Sequence, residues 1–503
     1  MDDLILSLDI GTTLIKCILF NQNGQEKFVF EERCVLITPQ AGWYEINPDE
    51  LWSTIVNLFR KAKSASEIAG QIIAIVISSQ GGSVVAVNSL GNALTNIVTW
   101  MDQRALTITK DWARDGTSQY IRQQSGWYPQ PGLPISTIQW FKQFENETFL
   151  ITHKWLSVND FAVNKLVNNF VTNPSMAGEM LLTNITSGEW DPTLCEIAGI
   201  EVTQLSKILP SDCIVGNLTS EISKITGLQC GLPIINGGQD HACEAYALSG
   251  TQSKMILACG TAWVINLVAE NTSLINIPES MDINFHVLPN LRLASQFLGD
   301  LGSYVNWALN VFWKNNLAPQ IAMRDQFSAM NQALLTTNKI QQDLFFLPLN
   351  GSKLIQNSEN AGGFIGVQPI HQREDLTKAI FETAAFEVKA SLSNLSASQK
   401  PYQMWMIGGA TKSPIWPQII ADVCDLEVLL TTYTHGPALG AAMLAWKSLE
   451  KPERIEHFRN ELSKNAHSIF PIQENRQIYS NKNEKYKRLI TSNSIATNLV
   501  MYG

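Results

Sequence analysis

The feature that most limits how this chain can fold is a strand, Gly-Thr turn, strand pattern that occurs twice. Leu4 to Leu8 is a short apolar strand, Asp9-Ile10-Gly11-Thr12-Thr13 reads as a turn, and Leu14 to Phe20 is a second strand that ends at Asn21-Gln22-Asn23-Gly24. At mid-chain, Lys254 to Ala258, Cys259-Gly260-Thr261-Ala262 and Trp263 to Val268 repeat the order. Two similar halves, each opening with a hairpin whose turn faces a shared cleft, account for the echo. The chain has 503 residues. Single cores stop growing well before that length, so two large domains are expected independently. The boundary is expected at Ser249-Gly250-Thr251, dividing the chain into 1–250 and 251–503.

Several classes of partner are disfavoured. A formal charge of -9 and the absence of any Lys/Arg run argue against a nucleic-acid binder. Met1-Asp2-Asp3-Leu4 shows no basic segment leading into an apolar one, and the apolar stretch near Ile72 to Ile77 has the length of a buried strand. No membrane association and a cytoplasmic location are therefore expected. The eight cysteines are scattered without a C-x-x-C pair and read as reduced thiols, not as disulfides or a zinc site.

The chemistry-bearing residues fall mostly at strand ends. In the first turn Gly11 lets backbone approach a phosphate, Thr12 and Thr13 can donate to its oxygens, Asp9 can hold a hydrated Mg²⁺, and Lys16 adds a positive charge. An ordinary hairpin would carry the same pattern. Gly260-Thr261 offers a matching cradle. Gly408-Gly409-Ala410 follows the strand Gln403 to Ile407, and small residues there would let an adenine ring lie flat; tight strand-to-helix packing would also require them. Gly237-Gly238-Gln239-Asp240-His241 lies between the strand Pro233 to Asn236 and a helix from His241 to Leu248. Asp240 is either the helix N-cap or a carboxylate that takes a proton from a substrate hydroxyl. Trp100-Met101-Asp102-Gln103-Arg104 could stack on a sugar and pair with vicinal hydroxyls, or form a structural anchor and ion pair.

In their order along the chain, these pieces resemble the FGGY carbohydrate kinases. The likeness runs from about residue 4 to 490 through Leu8 to Thr13, Trp100 to Arg104, Gly237 to Asp240, Cys259 to Ala262, Gly362 to Val367, Gly408 to Trp416 and Ala438 to Ala442. The resemblance implies an α/β fold of two actin-like (ribonuclease H-like) domains with a catalytic cleft between them. It implies ATP and Mg²⁺ as cofactors and a small carbohydrate, ketose, sugar acid or polyol as the acceptor, and it leaves room for a homodimer. Asp240 matches the catalytic base. Asp9 matches the acidic residue near the metal and phosphates, and Gly11, Thr12, Thr13, Lys16, Gly260 and Thr261 the phosphate loops. Gly408, Gly409, Ala410 and Ser413 match the adenosine segment, and Gln80, Gly81, Gly82, Trp100, Asp102, Arg104 and Gln239 the sugar side.

The departures concern substrate. Glycerol kinases follow the counterpart of Gln80 with Arg-Glu and xylulokinases with Met-His; here Gly81-Gly82 stand there. Two glycines are expected to open the pocket wall to a bulkier or differently oriented sugar. Asn350-Gly351-Ser352-Lys353 replaces a Ser-Gly-Glu-Arg segment, and His435-Gly436-Pro437 replaces an acidic residue before a small-residue helix. A silent sugar-binding regulator, or a chaperone- or actin-like ATPase, are the competing readings. The retained Asp9 and Asp240 argue against the first, and the Trp-x-Asp-x-Arg segment against the second.

Overall fold

The computed structural model describes residues 2–249, 255–271, 277–313, 323–336, 340–348, 362–396, 399–431, 433 and 435–502, with backbone alone at 249, 323–325 and 493–502. The expected boundary at Gly250-Thr251 and the segment Asn350 to Lys353 lie outside the described residues.

Two mixed sheets carry the architecture. The first comprises β1 (Asp2–Ile10), β2 (Leu14–Asn21), β3 (Glu26–Arg33), β4 (Gly70–Ser79), β5 (Ile214–Asn217) and β6 (Pro233–Gln239) in the order β5-β6-β4-β1-β2-β3. The second comprises β7 (Met255–Cys259), β8 (Trp263–Glu270), β9 (Asp282–Phe285), β10 (Leu291–Gly299), β11 (Gln403–Ile407), β12 (Glu427–Thr431) and β13 (Ala466–Ile469) in the order β9-β10-β8-β7-β11-β12-β13. In each half the opening hairpin is antiparallel and continues into a third antiparallel strand, while its first strand pairs in parallel with one later strand, which pairs in parallel with another. The echo seen in the sequence is thus a repeat of sheet order and strand sense.

Local sequence explains the elements that matter. Helix α1 (Pro48–Ala69) starts where the Asn47 side chain accepts from the backbone of Asp49 and Glu50, with Pro48 in the first turn. Its Leu51, Ile55, Leu58 and Phe59 cover the face of β1 that carries Leu4, Leu6 and Leu8. Ile5 points to the other face, so β1 is apolar on both sides and reads as a nearly unbroken apolar run.

What fills the space between the sheets positions the site. Helices α3 (Asp240–Ser249), which follows the short α2 (Pro174–Glu179), and α5 (Gly436–Ser448), which follows α4 (Arg373–Ser393), lie between the two sheets. Both are made of small residues at their contact: Ala242, Cys243 and Ala245 on one, Ala438, Ala441, Ala442 and Ala445 on the other, all buried. At Gly440 a Cβ would lie 1.8 Å from the carbonyl oxygen of Cys243, so only hydrogen fits. Helix α5 comes from the second half yet packs on the first sheet, where Ser7 Oγ donates to the Ala438 carbonyl at 2.8 Å.

The structure extends some expected elements. Asp9 and Ile10 belong to β1, leaving a turn of Gly11 to Thr13. Gly237 and Gly238 lie within β6, where the pairing with β4 shifts register between Ile235 and Gly238. Gly237 has φ +70, and a Cβ on it would meet the Ile77 carbonyl oxygen at 1.7 Å, so this glycine serves a bulge against β4. The tail is less superficial than its Lys, Asn and Glu content suggests. On α6 (Gln473–Tyr502), Tyr479, Lys482 and Tyr486 are buried, and they bond to Glu382 and Glu387 of α4.

Gly440→Ala tests the helix crossing through its sign. In an ordinary helix interior Gly→Ala stabilises by about 0.5–1 kcal/mol. Here overpacking should cost about 1–3 kcal/mol instead. Thermal unfolding of the purified variant is expected to show a lower Tm; an unchanged or higher Tm would show that the two helices are not held this closely.

Candidate functional site

The first hairpin turn is tight. Gly11 N donates to the Leu14 carbonyl at 3.0 Å, and a Cβ on Gly11 would lie 2.9 Å from that oxygen. Gln80, just past β4, is drawn beside it by a bond from its backbone N to the Ile10 carbonyl. Asp9 ends up buried at the close of β1, directly opposite Lys16 on β2, whose Nζ lies 3.7 Å from Asp9 Oδ2. Ser78 Oγ donates to Asp9 Oδ1 at 3.0 Å. Burial raises the Asp9 carboxyl to about 6, against the opposing pull of Lys16 and with the help of the negative charge of Asp240.

Asp240 is the first residue of α3, at the end of β6. The capping role falls to Gln239: its Oε1 accepts from Ala242 N at 2.9 Å, three residues on. Its Nε2 donates to Asp240 Oδ1 at 2.6 Å. His241 N donates to the same oxygen at 2.8 Å, and Oδ2 accepts no bond among the described residues. One carboxylate oxygen is therefore clamped and the other is open to a substrate hydroxyl. Gln239, expected on the sugar, is instead committed to the helix start and to aiming Asp240, because both ends of its amide are used.

Three further expectations about the sugar side are corrected. Asp102 is fully buried: Oδ1 accepts from Arg104 N and Nε at 2.8 and 2.9 Å, and Oδ2 accepts from Tyr44 N and Arg104 Nη2 at 2.8 and 2.9 Å. Arg104 also holds Glu45 at 2.5 Å and stacks on Trp43 and Trp140, and its side chain is 2% exposed, so the pair is a buried structural anchor and not a sugar-facing one. The third concerns the glycines, which do not open the wall. A Cβ on Gly81 would lie 2.6 Å from the Cδ and Cγ of Glu179, and one on Gly82 would lie 2.9 Å from Leu133 Cδ2 and 3.0 Å from Trp100 Cβ. Gly82 also has φ +70. The volume is already filled, and the backbone there favours glycine.

Trp100 and Gln80 remain on the sugar side. Trp100 is 46% exposed, and its Nε1 donates to Thr12 Oγ1, which donates to Gln80 Oε1 at 2.6 Å. Gln80 Nε2 is buried without a partner among the described residues, an orphan donor that a substrate oxygen would satisfy. Thr13 is exposed on the turn.

The second half supplies the other wall. Gly260 and Thr261 are exposed between β7 and β8. Gly408, with φ +95, passes so close that a Cβ would lie 2.6 Å from the Cys259 carbonyl oxygen; this places exposed Gly408 and Gly409 against the second Gly-Thr turn. Ala410 and Ser413 are corrections in part and in full. The Ala410 side chain packs into the core, leaving only its backbone for a nucleotide, and Ser413 Oγ is buried and donates to Asn331 Oδ1 at 2.7 Å.

Two acidic residues escaped the sequence reading. Glu179, at the end of α2, is raised to about 8 by burial and by Asp240 nearby. Glu244, one turn along α3, is raised to about 8 by burial, Asp240 and Asp9. Its Oε1 would lie 2.5 Å from a Cβ on Gly436, so a carboxyl does stand at the start of α5 although His435 replaces the one expected in sequence there. The signal for Glu179 was available: a lone acid within the otherwise uncharged Ser175-Met176-Ala177-Gly178-Glu179-Met180-Leu181-Leu182.

A Gly-Thr turn opening each half, a carboxylate with one open oxygen and an exposed tryptophan are the parts a phosphotransferase of the actin-like class uses. Sequence comparison agrees. Residues 4–246 match the FGGY family of carbohydrate kinases, N-terminal domain, and residues 255–449 match its C-terminal domain. The chain belongs to that family and is an ATP-dependent carbohydrate kinase. It is 27% identical over 495 residues to the L-xylulose/3-keto-L-gulonate kinase of Escherichia coli, covering 97% of this chain and 96% of that protein. It is 25% identical over 503 residues to the xylulose kinase of Bacillus subtilis, covering 97% and 96%. The solved gluconate kinase of Lactobacillus acidophilus superposes with a TM-score of 0.86 at 24% identity, covering 98% of this chain and 99% of that one. No helix among the described residues is long and apolar enough to cross a membrane.

The glycine wall can be tested with one methyl group. A non-Gly residue held in the left-handed region costs roughly 1–2 kcal/mol, and the contacts to Leu133 and Trp100 add to it. Gly82→Ala is therefore expected to lower the Tm nearly as much as Gly82→His does. A Gly82→Ala variant as stable as wild type, with only the histidine variant impaired, would restore the open-wall idea.

Proposed function

We propose that the chain transfers the γ-phosphoryl group of Mg²⁺·ATP to a hydroxyl of a ketose, with Asp240 as the general base. The observation that carries this is the asymmetry of Asp240: Oδ1 is held by Gln239 and His241 while Oδ2 is uncommitted at the head of α3. In-line phosphoryl transfer asks the protein for positioning and charge neutralisation above all. Asp240 holds the acceptor hydroxyl and takes its proton, while Trp100 and the orphan Gln80 amide orient the sugar. The backbone of Thr12 and Thr13 and of Gly260-Thr261 donates to the phosphate oxygens, with Lys16 alongside.

Among the described residues no three His, Cys, Asp or Glu side chains form a metal cage. That suits Mg²⁺, which binds through one or two carboxylates plus substrate phosphates and keeps several waters. Asp9 is the fitting carboxylate, and a metal there would neutralise the negative charge that builds up on the phosphates. The relatives named for xylulose and L-xylulose support a ketose acceptor. We further propose that the functional division falls near residue 250. In support, the first sheet ends at Gln239 and the second begins at Met255. Helix α5 crosses back between the sheets, where closure of the two halves would exclude water.

Asp240→Asn keeps size and shape and leaves the Gln239 cap in place. Turnover on the best sugar of a ketose, polyol and sugar-acid panel, read as sugar-dependent ADP release, is expected to fall by about two orders of magnitude with the Tm unchanged. Wild-type turnover in the variant would remove Asp240 as the base.

A further inference from the structure

Glu179 is a buried carboxyl that neither the Gly-Thr turns nor Asp240 require, and it borders Gly81 and Gly82. It is 6% exposed. It ends α2, which is fixed to the close of β6 by the bond from Gln239 N to Ser175 Oγ at 2.9 Å. From the second half, Asn284 of β9 donates to Glu179 Oε1 at 2.9 Å and to the Ser175 carbonyl at 3.1 Å. The other oxygen, Oε2, accepts no bond among the described residues. It lies over the two glycines, 2.9 Å from where a Cβ of Gly81 would be and 3.8 Å from that of Gly82, beside Trp100.

Resting on the reading of this cleft as a ketose kinase site, we propose that Glu179 is a specificity-determining residue. Its carboxyl takes the place of the side chain that Gly81 lacks, hydrogen-bonds a hydroxyl of the sugar through Oε2, and favours an uncharged ketose over a sugar acid. Three observations support this. The wall at Gly81 is closed by Glu179, with Leu133 and Trp100 closing it at Gly82, and not by a residue of its own strand end. Arg104, the cation that the sequence offers to sugar hydroxyls, is buried against Asp102 and Glu45 and does not reach out to pair with a substrate carboxylate. The charged groups that act on Glu179 are Asp240 of α3 and Asp282 of β9, both acidic, so a second carboxylate brought by substrate beside Glu179 would meet like charge. Burial and these neighbours hold Glu179 protonated near neutral pH, where it can donate to a sugar oxygen while accepting from Asn284.

The test measures KM for sugar and for ATP, Tm and the pH profile of wild type, Glu179→Ala and Glu179→Gln, using whichever panel sugar wild type turns over best. Glu179→Ala is expected to raise the sugar KM by about tenfold or more while the KM for ATP changes less than about twofold. Glu179→Gln, whose amide donates and accepts as a protonated carboxyl does, should recover most of that loss near pH 7. In wild type the sugar KM should rise as pH passes about 8, when Glu179 ionises, and in Glu179→Gln that rise should vanish. A sugar KM unmoved by both substitutions, an equal rise in both KM values, or a wild type that prefers gluconate to every ketose would each overturn the proposal. Failure of Asp240 as base shows in Asp240→Asn turnover and leaves these KM comparisons standing, so the two readings fail separately.

Discussion

The structure depends on how closely helices α3 and α5 approach. With hydrogen at Gly440 against the Cys243 carbonyl, the two helices fit as a thin layer between the sheets. Each belongs to one half of the chain, and α5 also reaches the first sheet through the Ser7 to Ala438 bond. That layer fixes what the site needs. The head of α3 delivers Asp240 beside Asp9 at the end of β1, and the head of α5 lies against Glu244. A larger side chain at the crossing would part the sheets and with them the two Gly-Thr turns.

Because both helices start at the cleft, acidic groups collect there. Asp9, Glu179 and Glu244 are all raised, each mainly by burial and each further by Asp240. Lys16 is the cation paired with Asp9. Such a field costs the free protein some stability. It becomes favourable when a cation accompanies the substrate, which is how a metal-bound nucleotide arrives. On the proposed role of Glu179, the same field also disfavours a second anion at the sugar end, so nucleotide affinity and sugar choice would follow from one charge distribution.

Much of the fold was legible in the sequence, because the hairpins depend on short-range pattern. Apolar runs broken by Gly-Thr turns give the strands, and their recurrence gives the repeat. The positions of Asp9, Gly11, Asp240, Gly260 and Gly408 follow from strand ends, which sequence marks well. What could not be read was partnership across the chain. Asp102 and Arg104 look like sugar ligands until Glu45, Tyr44 and two tryptophans are seen to use them up. Ser413 looks available until Asn331 is found beside it. Gly81-Gly82 look like an opening until Glu179, roughly a hundred residues away in the chain, is found against Gly81, with Leu133 and Trp100 against Gly82. In each case the deciding contact is long-range, and a motif records only what is adjacent.

A crystal structure of the protein with its sugar and a non-hydrolysable Mg²⁺·ATP analogue tests the account most directly. It is predicted to show one sugar hydroxyl at about 2.6–3.2 Å from Asp240 Oδ2, in line with a γ-phosphate held between Gly11 to Thr13 and Gly260-Thr261. A nucleotide bound away from both Gly-Thr turns, or a sugar whose hydroxyls all lie beyond hydrogen-bond reach of Asp240, would contradict it.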